Sequence, residues 1–150
     1  MVDDAHRQAS GVALKLLARR EHSRRELALK LMQRHFEDAV IEAVLDEFES
    51  RQWLDDERFA EVYVRQRVSL GYGPMRIMAE LQQRGVDGEP EALKEVDGQT
   101  WCQMAREARE KKFGLQPIED RRERGRQGRY LAQRGYTMSQ IEAALGVEID

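Results

Sequence analysis

The chain has 150 residues, 35% of them charged, with a mean hydropathy of -0.74 and a net charge of -3. No apolar run approaches the roughly 20 residues that cross a bilayer, and the acidic total argues against a simple polyanion binder. A single cysteine, Cys102, excludes an internal disulfide and suits a reducing compartment. The opening MVDDAHRQAS lacks the basic-then-apolar plan of a secretory leader, so the expected location is the cytoplasm.

Periodicity predicts helices throughout. The first runs from about residue 5 to Arg20, with Ala13, Leu14, Leu17 and Ala18 as its inward stripe. Ser23-Arg24-Arg25-Glu26 has the form of a capping box and opens a second helix bearing Leu27, Ala28 and Leu31. A third spans Asp38 to Arg51, carrying Val40, Ile41, Val44, Leu45 and Phe48 inward. Asp55 caps a fourth with Phe59, Val62, Tyr63 and Gln66, ended by Gly71-Tyr72-Gly73-Pro74. Pro74 suits a first helical turn, where its missing amide hydrogen has no partner to lose. A fifth helix covers Met75 to Arg84 and stops at Gly85; a short sixth opens at Glu89-Pro90 and ends near Val96. The seventh begins at Asp97-Gly98 and passes Trp101, Ala105 and Ala108 to Phe113. The eighth runs from Arg121 to Gln133, weakened in propensity by Gly125 and Gly128. Thr137-Met138-Ser139-Gln140 is a second capping box, opening a ninth helix that Gly146 closes. No segment has a period of two, so no sheet is expected.

The helices repeat. Residues 31–45, LMQRHFEDAVIEAVL, align without a gap to residues 131–145, LAQRGYTMSQIEAAL. Leu31, Gln33, Arg34, Ile41, Glu42, Ala43 and Leu45 recur at an offset of 100, and Leu81, Gln83 and Arg84 mark a copy midway. A fixed period near 50 residues is the signature of one supersecondary unit reused, each covering its neighbour's apolar face. The expected architecture is all-α: three tandem three-helix, helix-turn-helix-like repeats, 1–52, 53–96 and 97–150, stacked into an elongated, curved solenoid.

Charge is distributed in blocks. Residues 1–36 carry eight basic and four acidic side chains, residues 37–61 two and ten, and residues 103–134 ten and five. Local field outweighs the sum for a charged partner. Arginine dominates over lysine, and its planar fork suits phosphate and carboxylate. The contact candidates are therefore Arg24 and Arg25, Arg76 and Arg84, and the run Arg121, Arg122, Arg124, Arg126, Arg129 and Arg134. Against this stands the plain alternative of solvated helix faces, and for Arg34, Arg84 and Arg134 that of cations at helix C-termini. Tyr72, between two glycines, is the best aromatic contact candidate, whereas Trp53, Phe59, Tyr63 and Trp101 read as packing residues. Asp55 and Asp56 read as caps rather than metal ligands, Cys102 as buried filler, and His6, His22 and His35 lack ligand spacing. Nothing assembles nucleophile, base and oxyanion donors, so neither an enzyme nor a cofactor is expected.

Trp53-Leu54-Asp55-Asp56-Glu57-Arg58-Phe59-Ala60, Arg67, Gly71-Tyr72-Gly73-Pro74 and Leu81-Gln82-Gln83-Arg84-Gly85-Val86 together resemble the RecX family of recombination regulators. The third copy adds Trp101, Ala105, Arg106, Lys112-Phe113-Gly114, Tyr130-Leu131 and Arg134-Gly135-Tyr136, so the likeness runs from about residue 9 to residue 146. His35 departs from it, standing where the other copies have glycine. The resemblance implies three tandem three-helix repeats and a monomeric partner of the RecA–DNA filament. It also implies damped recombinase, ATPase and coprotease activity in recombination, DNA repair and the SOS response, with weak direct contact to single- or double-stranded DNA. Two other classes stay open on the residues alone: a helix-turn-helix DNA binder and a helical-repeat scaffold for another protein.

Overall fold

The computed structural model of the protein describes residues 4–146, and among these every regular element is helical. The helices are α1 (Asp4–Arg19), α2 (Arg24–Gln33), α3 (Asp38–Ser50), α4 (Asp56–Ser69), α5 (Pro74–Gln83), α6 (Glu91–Lys94), α7 (Gly98–Phe113), α8 (Arg121–Arg134) and α9 (Met138–Leu145). None is long and apolar enough to cross a membrane. Two compact units contain them: residues 1–62 with 81–87, and residues 63–80 with 88–150. Their boundaries fall inside α4 and α5, so the compact units and the sequence repeats are not the same segments.

In the first unit α1, α2 and α3 pack pairwise around Ala9, Ala13, Leu16, Leu27, Leu31, Ile41, Val44, Leu45, Phe48 and Leu54. Each fully buried Leu or Phe contributes roughly 1.5–3 kcal/mol, so this cluster outweighs any surface ion pair. The stripe expected on α1 is rotated: Ala9, Ala13 and Leu16 face inward, while Leu14 and Ala18 are exposed and Leu17 is half-buried. Positions i, i+4 and i+7 make one face, and small alanines there let α1 lie close to its neighbours. The capping box at α2 is complete. Glu26 N–H donates to Ser23 Oγ at 3.1 Å, and Ser23 N–H donates to Glu26 Oε1 at 3.1 Å. Trp53 sits edge-on to Phe48, ring centroids 5.2 Å apart, yet remains 41% exposed.

The second unit has α7 packed on α8 and α9, with Trp101, Ala105, Leu131, Tyr136, Ile141 and Ala144 buried. Gly125 and Gly128 do not interrupt α8, because polar ties replace the lost propensity. Asp120 caps it, accepting from Glu123 N–H at 2.7 Å, and buried Gln127 accepts from Arg109 Nε at 2.8 Å while donating to Glu123 at 2.9 Å. Helix α6 is a single turn, shorter than the sequence suggests, since Pro90 and Asp97 confine it. The Thr137–Gln140 capping box forms as expected. Cys102 is half-buried, not the buried filler expected, because it sits on the outer flank of α7 beside Gln99 and Arg106.

Candidate functional site: two arginine-lined turns and the face of α8

In the second unit, the turn Gly71–Pro74 that opens α5 meets the turn Arg134–Tyr136 that closes α8. Gly73 N–H donates to Arg134 O at 2.8 Å, and Met75 N–H donates to Gly135 O at 2.9 Å. The main chains touch so closely that only glycine fits on either side. A Cβ on Gly73 would lie 2.4 Å from Gly135 C, and one on Gly135, at φ 104, would lie 2.3 Å from Arg76 Cβ. Tyr136 is buried and its hydroxyl donates to Gly71 O at 2.7 Å; desolvation pushes the phenol up to about 12, so it stays a donor at neutral pH.

Tyr72 lies at the centre of this contact. The guanidinium carbons of Arg67, Arg134 and Arg76 stand 3.9, 4.0 and 4.4 Å from its ring centroid. Arginine over an aromatic face is worth about 0.5–2 kcal/mol each, and here three share one ring. They are held in place by acceptors. Glu80 takes Arg67 Nε and Nη2 at 2.9 and 2.7 Å, the Tyr63 hydroxyl at 3.0 Å and, more weakly, Arg76 Nε at 3.4 Å. Burial pushes the Glu80 carboxyl up, but the Arg67 and Tyr63 bonds outweigh it and hold it below the usual range. Arg134 Nη2 donates to Leu70 O at 2.6 Å, and Arg76 Nη1 to Gln133 O at 3.1 Å. Charge patterning does not single out Arg67; only its place in the family pattern marks it. Its role depends on the chain folding back after Leu70, which spacing alone does not reveal.

The first unit holds the corresponding meeting one repeat earlier, between the start of α2 and the turn after α5. Gly85 has φ 81, and a Cβ there would lie 2.9 Å from Arg25 Cβ. Glu26 takes Arg20 at 3.0 and 3.3 Å and pairs with Arg84 at 3.6 Å. Burial raises this carboxyl too, and the Arg20 and Ser23 bonds bring it below the ordinary value. Arg24 reaches Glu42, Asp46 and Glu49 at 2.6, 2.9 and 2.7 Å, while its main-chain N–H donates to Asp56 Oδ1 at 2.8 Å. Asp56 therefore braces the start of α2, and Asp55 caps α4 through Glu57 and Arg58 N–H at 2.9 and 3.2 Å. Among the described residues no group of three potential metal ligands converges.

The candidate arginines thus divide by what they already hold. Arg24, Arg76, Arg84 and Arg134 brace helices and turns. Arg124 is half-buried and closes α9, donating to Leu145 O at 3.4 Å and Gly146 O at 3.0 Å. Arg126 grips Glu123 at 2.9 and 2.7 Å, lies 4.9 Å over the Phe113 ring, and holds the Glu123 carboxyl down to about 2. Arg25 is exposed, its stem against Gly85. Arg121, Arg122 and Arg129 are exposed along α8 and make no ion pair with any described residue.

Three-helix arrays that interlock turn to turn define a helical-repeat protein. Three segments match the first, second and third three-helix domains of RecX, over residues 9–48, 55–89 and 102–145. The chain is 48% identical over 133 residues to the regulatory protein RecX of Halorhodospira halophila, covering 88% of this chain and 83% of that one. It is 44% identical to that of Pseudomonas fluorescens, covering 89% and 86%. The chain belongs to the RecX family, whose curated members are named regulatory proteins. Its fold is that of solved RecX structures. One, from Lactobacillus salivarius, superposes with a TM-score of 0.81 at 19% identity over 96% of both chains. A second, titled regulatory protein RecX, gives 0.80 at 24% identity, over 91% of this chain and 71% of that one.

Proposed function

We propose that this protein is a non-enzymatic, cytoplasmic regulator that binds the RecA–DNA filament as a monomer and restrains strand exchange, ATP turnover and coprotease activity. Membership of the RecX family carries this reading, and Arg121, Arg122 and Arg129, exposed and without an ion pair among the described residues, give it a surface. Repeats 1–52, 53–96 and 97–150 are proposed as the units that follow the filament, with Arg25, Arg121, Arg122 and Arg129 as contacts and the bracing arginines as their support. Arginine pairing of this kind acts on orientation and association rate more than on affinity.

The test is a titration of RecA ATPase and strand exchange on single-stranded DNA. Turnover falls as the protein is added up to equal amounts; unchanged turnover at saturation removes the reading. Direct DNA binding is checked separately on naked duplex, where a helix-turn-helix reader would show tight binding with a steep salt dependence.

A further inference from the structure

Helices α8 and α9 enclose an open groove of about 600 Å³. Its lining includes Gly125, Gly128 and Ala132 from α8, at i, i+3 and i+7, and Met138, Ile141 and Leu145 from α9. Met138 is 70% exposed although it belongs to this apolar lining. Arg121, Arg124 and Arg129 also line the groove, and Glu142 is the one carboxylate among the described residues of its lining. We propose that this groove docks an acidic amphipathic helix of a partner protein. The space over Gly128 is taken by Leu145 and Ile141 of α9, 3.7 and 3.8 Å from where a Cβ would stand, so it is Ala132, Met138 and the half-buried Leu145 that offer purchase to apolar side chains at helical spacing. The arginines, without ion partners among the described residues, match carboxylates flanking that apolar stripe. A single-stranded nucleic acid fits less well, because among the described residues no aromatic ring lines the groove for a base to stack on. A phosphate backbone would make no use of the apolar lining. This site goes beyond the filament reading and stands without it.

The probe is a fluorescein-labelled helical peptide with leucine at i, i+3, i+4 and i+7 and glutamate on both flanks, followed by anisotropy at low salt. Binding is expected with the intact chain. It should weaken about tenfold in the double variant Arg121→Glu, Arg129→Glu, and comparably in Met138→Ser, which removes apolar lining without changing charge. All three positions are exposed, and unchanged helicity by circular dichroism keeps the comparison valid. An oligothymidylate run in parallel should be indifferent to Met138→Ser. Absence of peptide binding at millimolar concentration, peptide binding that ignores both variants, or equal loss of oligonucleotide binding in Met138→Ser would each overturn the proposal.

Discussion

The two turn contacts solve one geometric problem with different chemistry. In the second unit, backbone meets backbone: Gly73 and Gly135 leave no room for a side chain, and two main-chain hydrogen bonds bridge the turns. In the first unit, Gly85 meets the stem of Arg25, and an ion pair from Arg84 to Glu26 supplies the polar tie. A main-chain contact is fixed in distance and direction, whereas a side-chain stem can move aside. The difference also explains His35. It occupies the corresponding position in the first repeat at φ 68, and its turn is exposed. No Cβ clash is at stake there, and only the modest cost of left-handed backbone remains, about 1–2 kcal/mol.

The sharpest way to break this contrast is to add a methyl group to each turn. Gly135→Ala should destabilise the protein by about 2–4 kcal/mol, from overpacking together with the left-handed backbone. Gly85→Ala should cost about 1–2 kcal/mol, mainly the backbone term, because Arg25 can shift. Urea denaturation orders them; equal losses would show that the two contacts are equally rigid. Next in size is Tyr136→Phe, which removes the hydroxyl bond to Gly71 and should lower stability by about 1 kcal/mol, read as a shift in midpoint without a change in slope. His35→Gly should move the other way, raising stability by at most about 1 kcal/mol and leaving the second unit's exchange protection unchanged.

The smallest effect is one of pH and separates the units by composition. His22 is buried, its Nδ1 lies 3.1 Å from Arg20 O, and Lys30 Nζ reaches its Nε2 at 2.8 Å. Desolvation lowers its pKa below the ordinary histidine value of 6.5, and the neighbouring Arg20 and Lys30 charges act in the same direction. The unfolded chain therefore binds the proton more readily than the folded one. Its contribution is complete above 6.5 and declines as pH falls from there toward the folded value. All three histidines lie in the first unit. Hydrogen exchange between pH 7 and 5.5, corrected for intrinsic rates, should show α2 losing protection while α8 holds. Below the carboxylate range both units weaken, because Glu26 and Glu80 are held below 4.5 and their contribution is lost as pH falls through those lowered values.

Helix positions were legible because each is written locally. Ser23 with Glu26 and Thr137 with Gln140 announce starts, Gly85, Gly135 and Gly146 announce stops, and the 3.6-residue rhythm fills the spans between. The inward face of α1 was less legible, since alanine and leucine lie all round it and only packing selects Ala9, Ala13 and Leu16. The state of each candidate arginine is the least legible from sequence. Ten candidate arginines look alike in sequence, yet Arg24 is held by three carboxylates of α3 and Arg124 by the carbonyls ending α9, while Arg121 has no ion pair among the described residues. Tyr72, an aromatic contact candidate from sequence, has Arg67, Arg134 and Arg76 at 3.9, 4.0 and 4.4 Å from its ring centroid, which no spacing in the chain reveals.

By itself the amino-acid order determined the all-helical class, the caps and the repeat, because those follow from interactions between residues three or four apart and from one pattern used again. Tertiary structure alone decided which guanidiniums are tied to carboxylates or carbonyls and which remain open to a partner. For Arg24, Arg76, Arg84, Arg124 and Arg134 that choice depends on groups 18 to 64 residues distant in the chain, which only folding brings together.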